Sequence, residues 1–441
     1  MHSMYRGGHG RGRWGGARAR GARSLNPTRS RAEAPPKPLG PAVDTINITT
    51  LLIEQEAPKI EDVEYIASYN WLDVKFPVIL VPGEFFTRNH GVDSNCSNSS
   101  KPCLLNRCVT CSHVSDTGSP PAWTPPTPDP QLKPDSEDVF RDINAARYSS
   151  YPLEPAVRAL KAMQPEFDLR SVDIVGCGST MGNLLSFAGS QSKPFRFDVD
   201  AIGDTLFFVR KGKSPTELIT GLQGYGHTFP EAYTTWDAEV RGSCSHQRII
   251  RYEFGGLHCL VRTETDGYAK HSAGKSLSGV AVPTNQSSLE DILGVVGVTS
   301  TPPSRDQELQ IRMGGKKISQ EQIFDLKTRV SYNPFDMNEI LPRLWVNQTP
   351  KFLIAYHKFG LFDKPEIKDV RQDVLGWERD NRALLARFHG LLKRIVDVVR
   401  DSEKQQCEVY WDGQGPLCIT EQVGEGKRAL PSDLVQPLEV S

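Results

Sequence analysis

The sequence predicts a mixed α/β (α+β) fold, in which a mainly antiparallel or mixed central β-sheet is flanked by helices. Residues 195–210 (FRFDVDAIGDTLFFVR) alternate in hydropathy around Gly203-Asp204, which is the pattern of a β-hairpin. A second strand pair is predicted at 247–254 and 256–263, on either side of Gly255-Gly256. Apolar residues recur at helical spacing from 377 to 400, which predicts one long amphipathic helix.

The other elements are predicted from the same two periodicities. The folded part is expected to begin near Ile60. Pro155 is favourable in the first turn of a helix, where its missing N–H costs nothing. Residues 63–72 carry aromatic and apolar side chains at the start of the folded part. Further strands are predicted at 78–81, 319–330 and 351–357, and further helices at 136–148 and 153–163.

The distribution of Gly and Pro predicts one large domain with additions rather than several compact domains. They account for 37 and 32 of the 441 residues and gather in a few segments. We expect a disordered Arg/Gly-rich arm with a Pro linker at 1–44 and a flexible tail at 421–441. A single domain would span 45–420, with inserts at 84–117 and 271–310. The first insert is either a lineage-specific surface segment or a retained intron.

The near-neutral net charge of −1 hides an asymmetry. Residues 1–32 contain eight Arg and no acidic residue, which leaves a formal charge of −9 for the rest of the chain. Arginine binds phosphate and stacks on bases, so we interpret this arm as RNA-binding or nuclear. A generic disordered tail and a mitochondrial transit peptide are the alternatives.

The cysteine content and the hydropathy of the sequence indicate in which cellular compartment the protein is expected. Nine cysteines are an odd and modest number for this length, and no secretory signal peptide is recognisable. We therefore expect the nucleus and/or the cytoplasm. No run approaches the ~18 apolar residues needed to cross a bilayer, so a membrane-spanning protein is not expected.

Two short strings carry the residues from which a catalytic site could be built. Glu264 and Asp266 stand at positions i and i+2, on one face of a predicted strand, as do Asp325 and Lys327 on another. If the strands are neighbours, three carboxylates converge beside a lysine. Hard cations such as Mg²⁺ or Mn²⁺ need oxygen ligands, and a lysine there can orient water for attack on phosphorus. This is the pattern of D/E-x-K nucleases, although charges alternating on an exposed strand look the same.

The order of these strings along the chain resembles the DXO-type decapping and 5′→3′ exoribonuclease family. The resemblance runs from about Tyr65 to Val399. It is carried by the segments YIASYNWL, VDIVGCGSTMGNLL, FRFDVDAIGDTLFFVRK, GHTFPE, ETD, DLK and WVNQ. It implies a metal-dependent hydrolase that acts on RNA 5′ ends, by decapping, pyrophosphohydrolysis or 5′→3′ degradation. A 5′→3′ exoribonuclease partner is a further implication.

The resemblance also implies roles for individual residues. Four carboxylates would bind Mg²⁺ or Mn²⁺: Glu231, Glu264, Asp266 and Asp325. Lys327 and Gln348 would position water and the scissile phosphate, and Glu264 would also take part in catalysis.

Three positions depart from the family pattern. Gly178 stands where the family has an arginine. In the strict register Pro230 occupies the glutamate position and Glu231 follows one residue late, which in a strand would turn it to the other face. Asp325 replaces a glutamate. These departures leave a second hypothesis open, namely a catalytically reduced RNA-binding or scaffold protein of the same fold.

The chain also resembles a group of fungal proteins that often carry a geranylgeranyl pyrophosphate synthase label, through strings such as SYNWL, GYGHTFPEAYTT and NQTPKFLIAYH. Prenyl transfer requires aspartate-rich clusters that hold diphosphate through Mg²⁺. No Asp-Asp pair occurs anywhere in the sequence. We therefore expect no prenyl diphosphate synthase activity.

Overall fold

The fold consists of two large β-sheets with helices packed around them, in a computed structural model of the chain. The structure describes residues 40–51, 57–83, 119–136, 138–140, 148, 150–190, 193–211, 217–270, 308–423 and 428–439. The basic arm, the whole of the insert predicted at 84–117 and most of the one predicted at 271–310 lie outside these residues. The mixed α/β prediction is confirmed, with two large sheets instead of one central sheet.

The larger sheet has 11 strands in the order β1-β20-β19-β7-β8-β6-β12-β11-β2-β3-β14. Most neighbours are antiparallel, but β6 runs parallel to both β8 and β12. In chain order the strands are β1 (Ala42–Ile46), β2 (Ile60–Leu72), β3 (Val78–Val81), β6 (Ile174–Cys177), β7 (Phe195–Ile202), β8 (Thr205–Arg210), β11 (Ser243–Phe254), β12 (Leu257–Glu264), β14 (Gln310–Met313), β19 (Gln406–Trp411) and β20 (Leu417–Glu421).

The smaller sheet has seven strands in the order β10-β4-β13-β15-β16-β17, with β18 also paired to β16. Its strands are β4 (Ala122–Trp123), β10 (Thr234–Thr235), β13 (Gly267–Tyr268), β15 (Ile323–Val330), β16 (Lys351–Lys358), β17 (Leu361–Phe362) and β18 (Ile367–Asp369). The short strands β5 (Val139–Phe140) and β9 (Leu218–Ile219) pair separately. The helix predicted at 136–148 is therefore replaced by a strand at 139–140, and residues 141–147 lie outside the described ones.

Helices cover both faces of the larger sheet. They are α1 (Glu154–Met163), α2 (Gly178–Ala188), α3 (Thr228–Tyr233), α4 (Leu341–Asn347), α5 (Arg371–Asp380), α6 (Arg382–Arg400) and α7 (Ser432–Glu439). A separate hydrophobic core lies on each face. Phe208 of β8 packs in the core that contains α6, and its neighbour Phe207 points to the opposite face and packs in the core that contains α1. No helix in the described part of the chain is long and apolar enough to cross a membrane.

The predicted helix at 377–400 is interrupted at Asn381. The Asn381 side chain donates to the backbone oxygen of Trp377 at 2.8 Å, and its backbone N–H donates to the same oxygen at 3.0 Å. Asparagine competes for backbone groups in this way and therefore favours helix ends. Beyond Glu421, where a flexible tail is predicted, helix α7 packs Leu434 and Leu438 against the sheet.

A buried arginine links the larger sheet to the segment that enters β15. Arg248 on β11 lies over the Tyr65 ring at 3.8 Å and donates to the backbone oxygen of Ile318 at 2.8 Å. It also donates to Oε1 of Gln320 at 3.0 Å, and Gln320 Nε2 donates to the backbone oxygen of Gln348 at 2.9 Å. This chain of hydrogen bonds fixes the end of α4 relative to the sheet.

Helix α4 is anchored by Trp345, which is 1% exposed. Its ring contacts those of Phe254 and Trp377, with centroids 5.4 and 5.6 Å away, and its Nε1–H donates to Oε2 of Glu378 at 2.7 Å. We predict that Trp345→Ala lowers the free energy of unfolding by about 3–5 kcal/mol, because it leaves a cavity and an unpaired carboxylate.

The measurement is equilibrium unfolding in urea, with Phe359→Ala as the control. The Phe359 side chain is 90% exposed, so its truncation should change the unfolding free energy by less than about 0.5 kcal/mol. Equal effects of the two substitutions would contradict this account of the core.

Candidate functional site

The candidate site lies where the chain passes from the larger sheet to the smaller one. Strand β12 ends at Glu264, and three residues later, at Gly267, β13 begins in the other sheet. Gly267 of β13 is the register partner of Phe324 on β15, so the residues that flank this pair, Asp266 and Asp325, adjoin each other. The β13–β15 register therefore brings Asp266 to Asp325, although β12 and β15 belong to different sheets and are not neighbours. Asp266 lies beyond the end of β12 and Glu264 is exposed, so the two do not share the face of one strand.

Asp266 and Asp325 form a carboxylate pair in which Asp325 is buried and Asp266 is half-buried. Asp325 is 4% exposed, and Asp266 Oδ2 accepts a hydrogen bond from the backbone N–H of Leu326 at 2.7 Å. Burial raises the pKa of Asp266 well above its usual range, and the charges of Asp325 and Glu264 raise it further. The pKa of Asp325 is also raised by burial, against the opposing effects of Arg343, a hydrogen bond with Asp266, and Lys327. Two carboxylates this close cannot both be ionised without cost.

Two cations lie beside the pair. Arg343 of α4 reaches Asp325 Oδ2 with its Nη2 at 2.8 Å, and 47% of the arginine side chain remains exposed. Lys327 stands two residues after Asp325 on β15 and is exposed, and its charge lowers the pKa of Asp325. Arg343 was not among the candidates from sequence. No local pattern distinguishes it from other helical arginines, because only tertiary packing of α4 brings it to the pair.

Glu231 and Gln348 lie differently from the implied arrangement. Glu231 is exposed on the short helix α3, and no contact among the described residues joins it to the carboxylate pair. Gln348 caps α4 in a left-handed conformation with φ 49°, and its Nε2 donates to the backbone oxygen of Trp345 at 2.5 Å. In this conformation the Gln348 amide is used by its own helix.

The position of Gly178, at the start of α2, is filled by a side chain from α4. A Cβ atom at this glycine would lie 2.2 Å from Asn347 Oδ1 and 3.3 Å from Thr263 Cγ2. Asn347 is 6% exposed, and its Oδ1 has no hydrogen-bond partner among the described residues. No side chain, and least of all an arginine, fits at 178 while Asn347 is in place. Sequence reasoning identified the missing arginine but not the asparagine that excludes it.

A divalent cation suits the carboxylate pair in chemistry. With both groups ionised, Asp325 Oδ1 is buried and has no hydrogen-bond donor in the described ranges. No group of three or more His, Cys, Asp or Glu side chains there is arranged to hold a metal ion. Mg²⁺ is commonly bound by one or two carboxylates together with substrate phosphate oxygens. The two aspartates fit that mode, with Glu264 nearby.

Comparison with known proteins places the chain in a family. Residues 54–436 match the family model described as domain of unknown function DUF8563. The chain belongs to this family. No curated protein matches the sequence.

Solved structures share the fold. Rai1 of Scheffersomyces stipitis, in complex with (3′-NADP)⁺ and calcium, is 12% identical, with 92% of this chain and 99% of that chain covered and a TM-score of 0.50. Candida albicans Rai1 in complex with pU5 and Mn²⁺ is 10% identical, with coverages of 90% and 97% and a TM-score of 0.46. K. lactis Dxo1 in complex with manganese is 7% identical, with coverages of 86% and 98% and a TM-score of 0.44. The resemblance to the DXO-type fold is confirmed.

The raised pKa values predict that the pair destabilises the metal-free protein at neutral pH. A folded-state pKa above the unfolded value makes the folded state bind more protons, so stability falls as the pH rises from about 4 through the raised pKa. Asp266→Asn imitates the protonated acid and keeps an acceptor for Leu326. We expect it to stabilise the metal-free protein at pH 7 on the order of 1 kcal/mol, measured as a rise in Tm of about 2 °C.

The same substitution should flatten the fall in Tm between pH 5 and pH 8. A Tm for Asp266→Asn that is lower than that of the wild type at pH 7 would contradict the assignment of a strained carboxylate pair.

The contact at Gly178 predicts a second stability effect. Gly178→Ala should lower the free energy of unfolding by about 1–3 kcal/mol, because the methyl group overlaps the Asn347 amide. Asn347→Ala in the same chain should remove much of that cost. Gly182→Ala is the matched control on α2, since nothing lies within 4 Å of its Cβ position, and it should stabilise by up to about 1 kcal/mol. Similar effects of Gly178→Ala and Gly182→Ala in thermal unfolding would refute the close contact.

Proposed function

We propose that this chain is a divalent-metal-dependent hydrolase that acts on the 5′ ends of RNA, by decapping, pyrophosphohydrolysis or 5′→3′ degradation. The observation that carries the proposal is the half-buried Asp266 set beside the buried Asp325 by the β13–β15 register, with the exposed Glu264 and Lys327 two residues away along the chain. A structural role for such a pair is unfavourable, since two ionised carboxylates at close range repel each other. Its retention in a DXO-type fold is understandable if a cation and a phosphate bind there.

The chemistry assigns separate tasks to the residues of the site. Asp266 and Asp325, with Glu264, would hold Mg²⁺ or Mn²⁺, which when bound polarises phosphate oxygens and lowers the pKa of coordinated water. Lys327 is exposed beside Asp325, where it can orient a water molecule towards phosphorus. The backbone N–H of Leu326 fixes the orientation of the Asp266 carboxylate. The S. stipitis Rai1 structure of the same fold is a complex with calcium and a dinucleotide, which agrees with this class of ligand.

The remaining expectations become part of the proposal. The Arg-rich residues 1–32, which lie outside the described residues, would supply affinity for the RNA backbone to a body of formal charge −9. We further propose a nuclear and/or cytoplasmic location and an association with a 5′→3′ exoribonuclease.

A second candidate is a catalytically reduced RNA-binding or scaffold protein of the same fold. Two observations favour it: Glu231 is exposed on α3, and Asn347 fills the place of the family's arginine. Such a protein would bind RNA without cleaving it.

The test uses 5′-labelled RNA with monophosphate, triphosphate or capped ends, incubated with protein and either Mg²⁺ or Mn²⁺. We expect metal-dependent release of the label or the cap by the wild type. Loss of charge at the metal-binding pair in Asp266→Asn, or of the water-orienting amine in Lys327→Ala, should lower the rate at least about 100-fold.

Glu366→Gln, at an exposed position in the smaller sheet region, is the control and should keep the wild-type rate. Equal rates for the wild type, Asp266→Asn and Lys327→Ala would exclude this site as the catalytic centre. RNA binding with no turnover under any metal would favour the scaffold function.

A further inference from the structure

Arg343 has hydrogen-bond donors that its ion pair with Asp325 does not use. One contact joins its Nη2 to Asp325 Oδ2 at 2.8 Å, while 47% of the side chain is exposed and Asp325 is 4% exposed. A guanidinium group carries five N–H donors in a planar fork that matches the oxygens of a phosphate. The part of the guanidinium that does not face Asp325 can therefore donate hydrogen bonds to a ligand that approaches from solvent.

The helix that carries Arg343 is anchored at several points. Helix α4 is held by the buried Trp345 ring and its hydrogen bond to Glu378, and its end is tied to Gln320. Pro342 lies in the first turn, where its fixed φ favours the helix. Asp325 in turn orients the guanidinium. Binding a ligand would cost little further ordering of this side chain.

Helix α2 (Gly178–Ala188) contains no lysine or arginine that could bind a phosphate. The arginine that the fold's resemblance implies at the start of α2 is replaced by Gly178, and Asn347 occupies its space with Oδ1 2.2 Å from the Cβ position. Asn347 and Arg343 belong to the same helix, α4. Helix α4 therefore fills the space at Gly178 with Asn347 and also places the Arg343 guanidinium beside Asp325.

We propose that Arg343 is the residue that binds the 5′-terminal phosphate of the substrate at this site. The inference rests on the proposed function, because it assumes that a nucleic-acid 5′ end enters the Asp266–Asp325 site. A phosphate that bridges the guanidinium and a cation on the carboxylates would be neutralised from two sides. Selectivity for a 5′-phosphorylated end would then be provided by Arg343 on α4, because Gly178 on α2 has no side chain to contribute.

The experiment compares the binding of two short single-stranded RNAs that differ only in a 5′-monophosphate or a 5′-hydroxyl. Fluorescence anisotropy is measured with a 3′-labelled RNA, with Ca²⁺ in place of Mn²⁺ to slow turnover. We expect the wild type to prefer the phosphorylated RNA about tenfold or more. Arg343→Gln should reduce that preference to about one, because the ratio of the two affinities isolates the contact with the 5′-phosphate from any effect on cation binding common to both RNAs.

Arg343→Lys tests the fork geometry and provides a variant that keeps the charge next to Asp325. It should retain a preference between those of the wild type and Arg343→Gln, whereas a purely structural role would leave the ratio of affinities unchanged in both variants. Arg312→Gln, an exposed position on the edge strand β14, is the matched control and should keep the full preference. Thermal unfolding verifies that each variant is folded.

Two results would overturn the inference: a wild type that does not distinguish the two RNAs, or an Arg343→Gln protein that still does. Failure of the proposed function is a separate result. A wild type that prefers the 5′-phosphate but never cleaves RNA would refute hydrolysis, and the assignment of Arg343 would still be supported if its substitution removes the preference.

Discussion

The site depends on one antiparallel contact, between β13 and β15, which sets Asp266 beside Asp325. The contact arises because the chain leaves the larger sheet at Glu264 and enters the smaller sheet three residues later, at Gly267. Both strands are otherwise stabilised by apolar packing, such as that of Phe324 and Tyr268 in the core of the smaller sheet region. The repulsion between the two carboxylates is therefore imposed by the fold, and the neighbouring cations only partly relieve it.

The electrostatic balance around the pair explains the rest of the site. Arg343 and Lys327 lower the pKa of Asp325, yet burial keeps it above the usual value. Loss of solvent and the charge of Asp325 raise the pKa of Asp266 well above its usual range, and Glu264 adds a smaller like charge. A divalent cation supplies the charge that two flanking monovalent side chains do not, and the same cation would attract phosphate. The repulsion between Asp266 and Asp325 thus accounts both for the strain in the metal-free protein and for the affinity for a cation.

The sequence predicted several of the secondary-structure elements and the two aspartates, but not the residues that depend on tertiary packing. Period-2 and period-3.6 patterns predicted the hairpin at 195–210 and the apolar face of α6, and two i, i+2 strings predicted Asp266 and Asp325. The strand interval of 319–330 contains β15. Arg343 and Asn347 were missed because their roles depend on how α4 packs against α2 and β15, and local periodicity contains no such distances. The break at Asn381 was missed because one side-chain hydrogen bond decides it.

The most direct test of the central claim is a titration of the metal-free protein with Mn²⁺, followed by electron paramagnetic resonance of the free ion. The account predicts binding at the carboxylate pair with an affinity that rises with pH, because the cation displaces protons from Asp266 and Asp325. Asp325→Asn should abolish that binding, and Glu366→Gln should not. Equal Mn²⁺ affinity in the wild type and Asp325→Asn, or an affinity independent of pH, would contradict it.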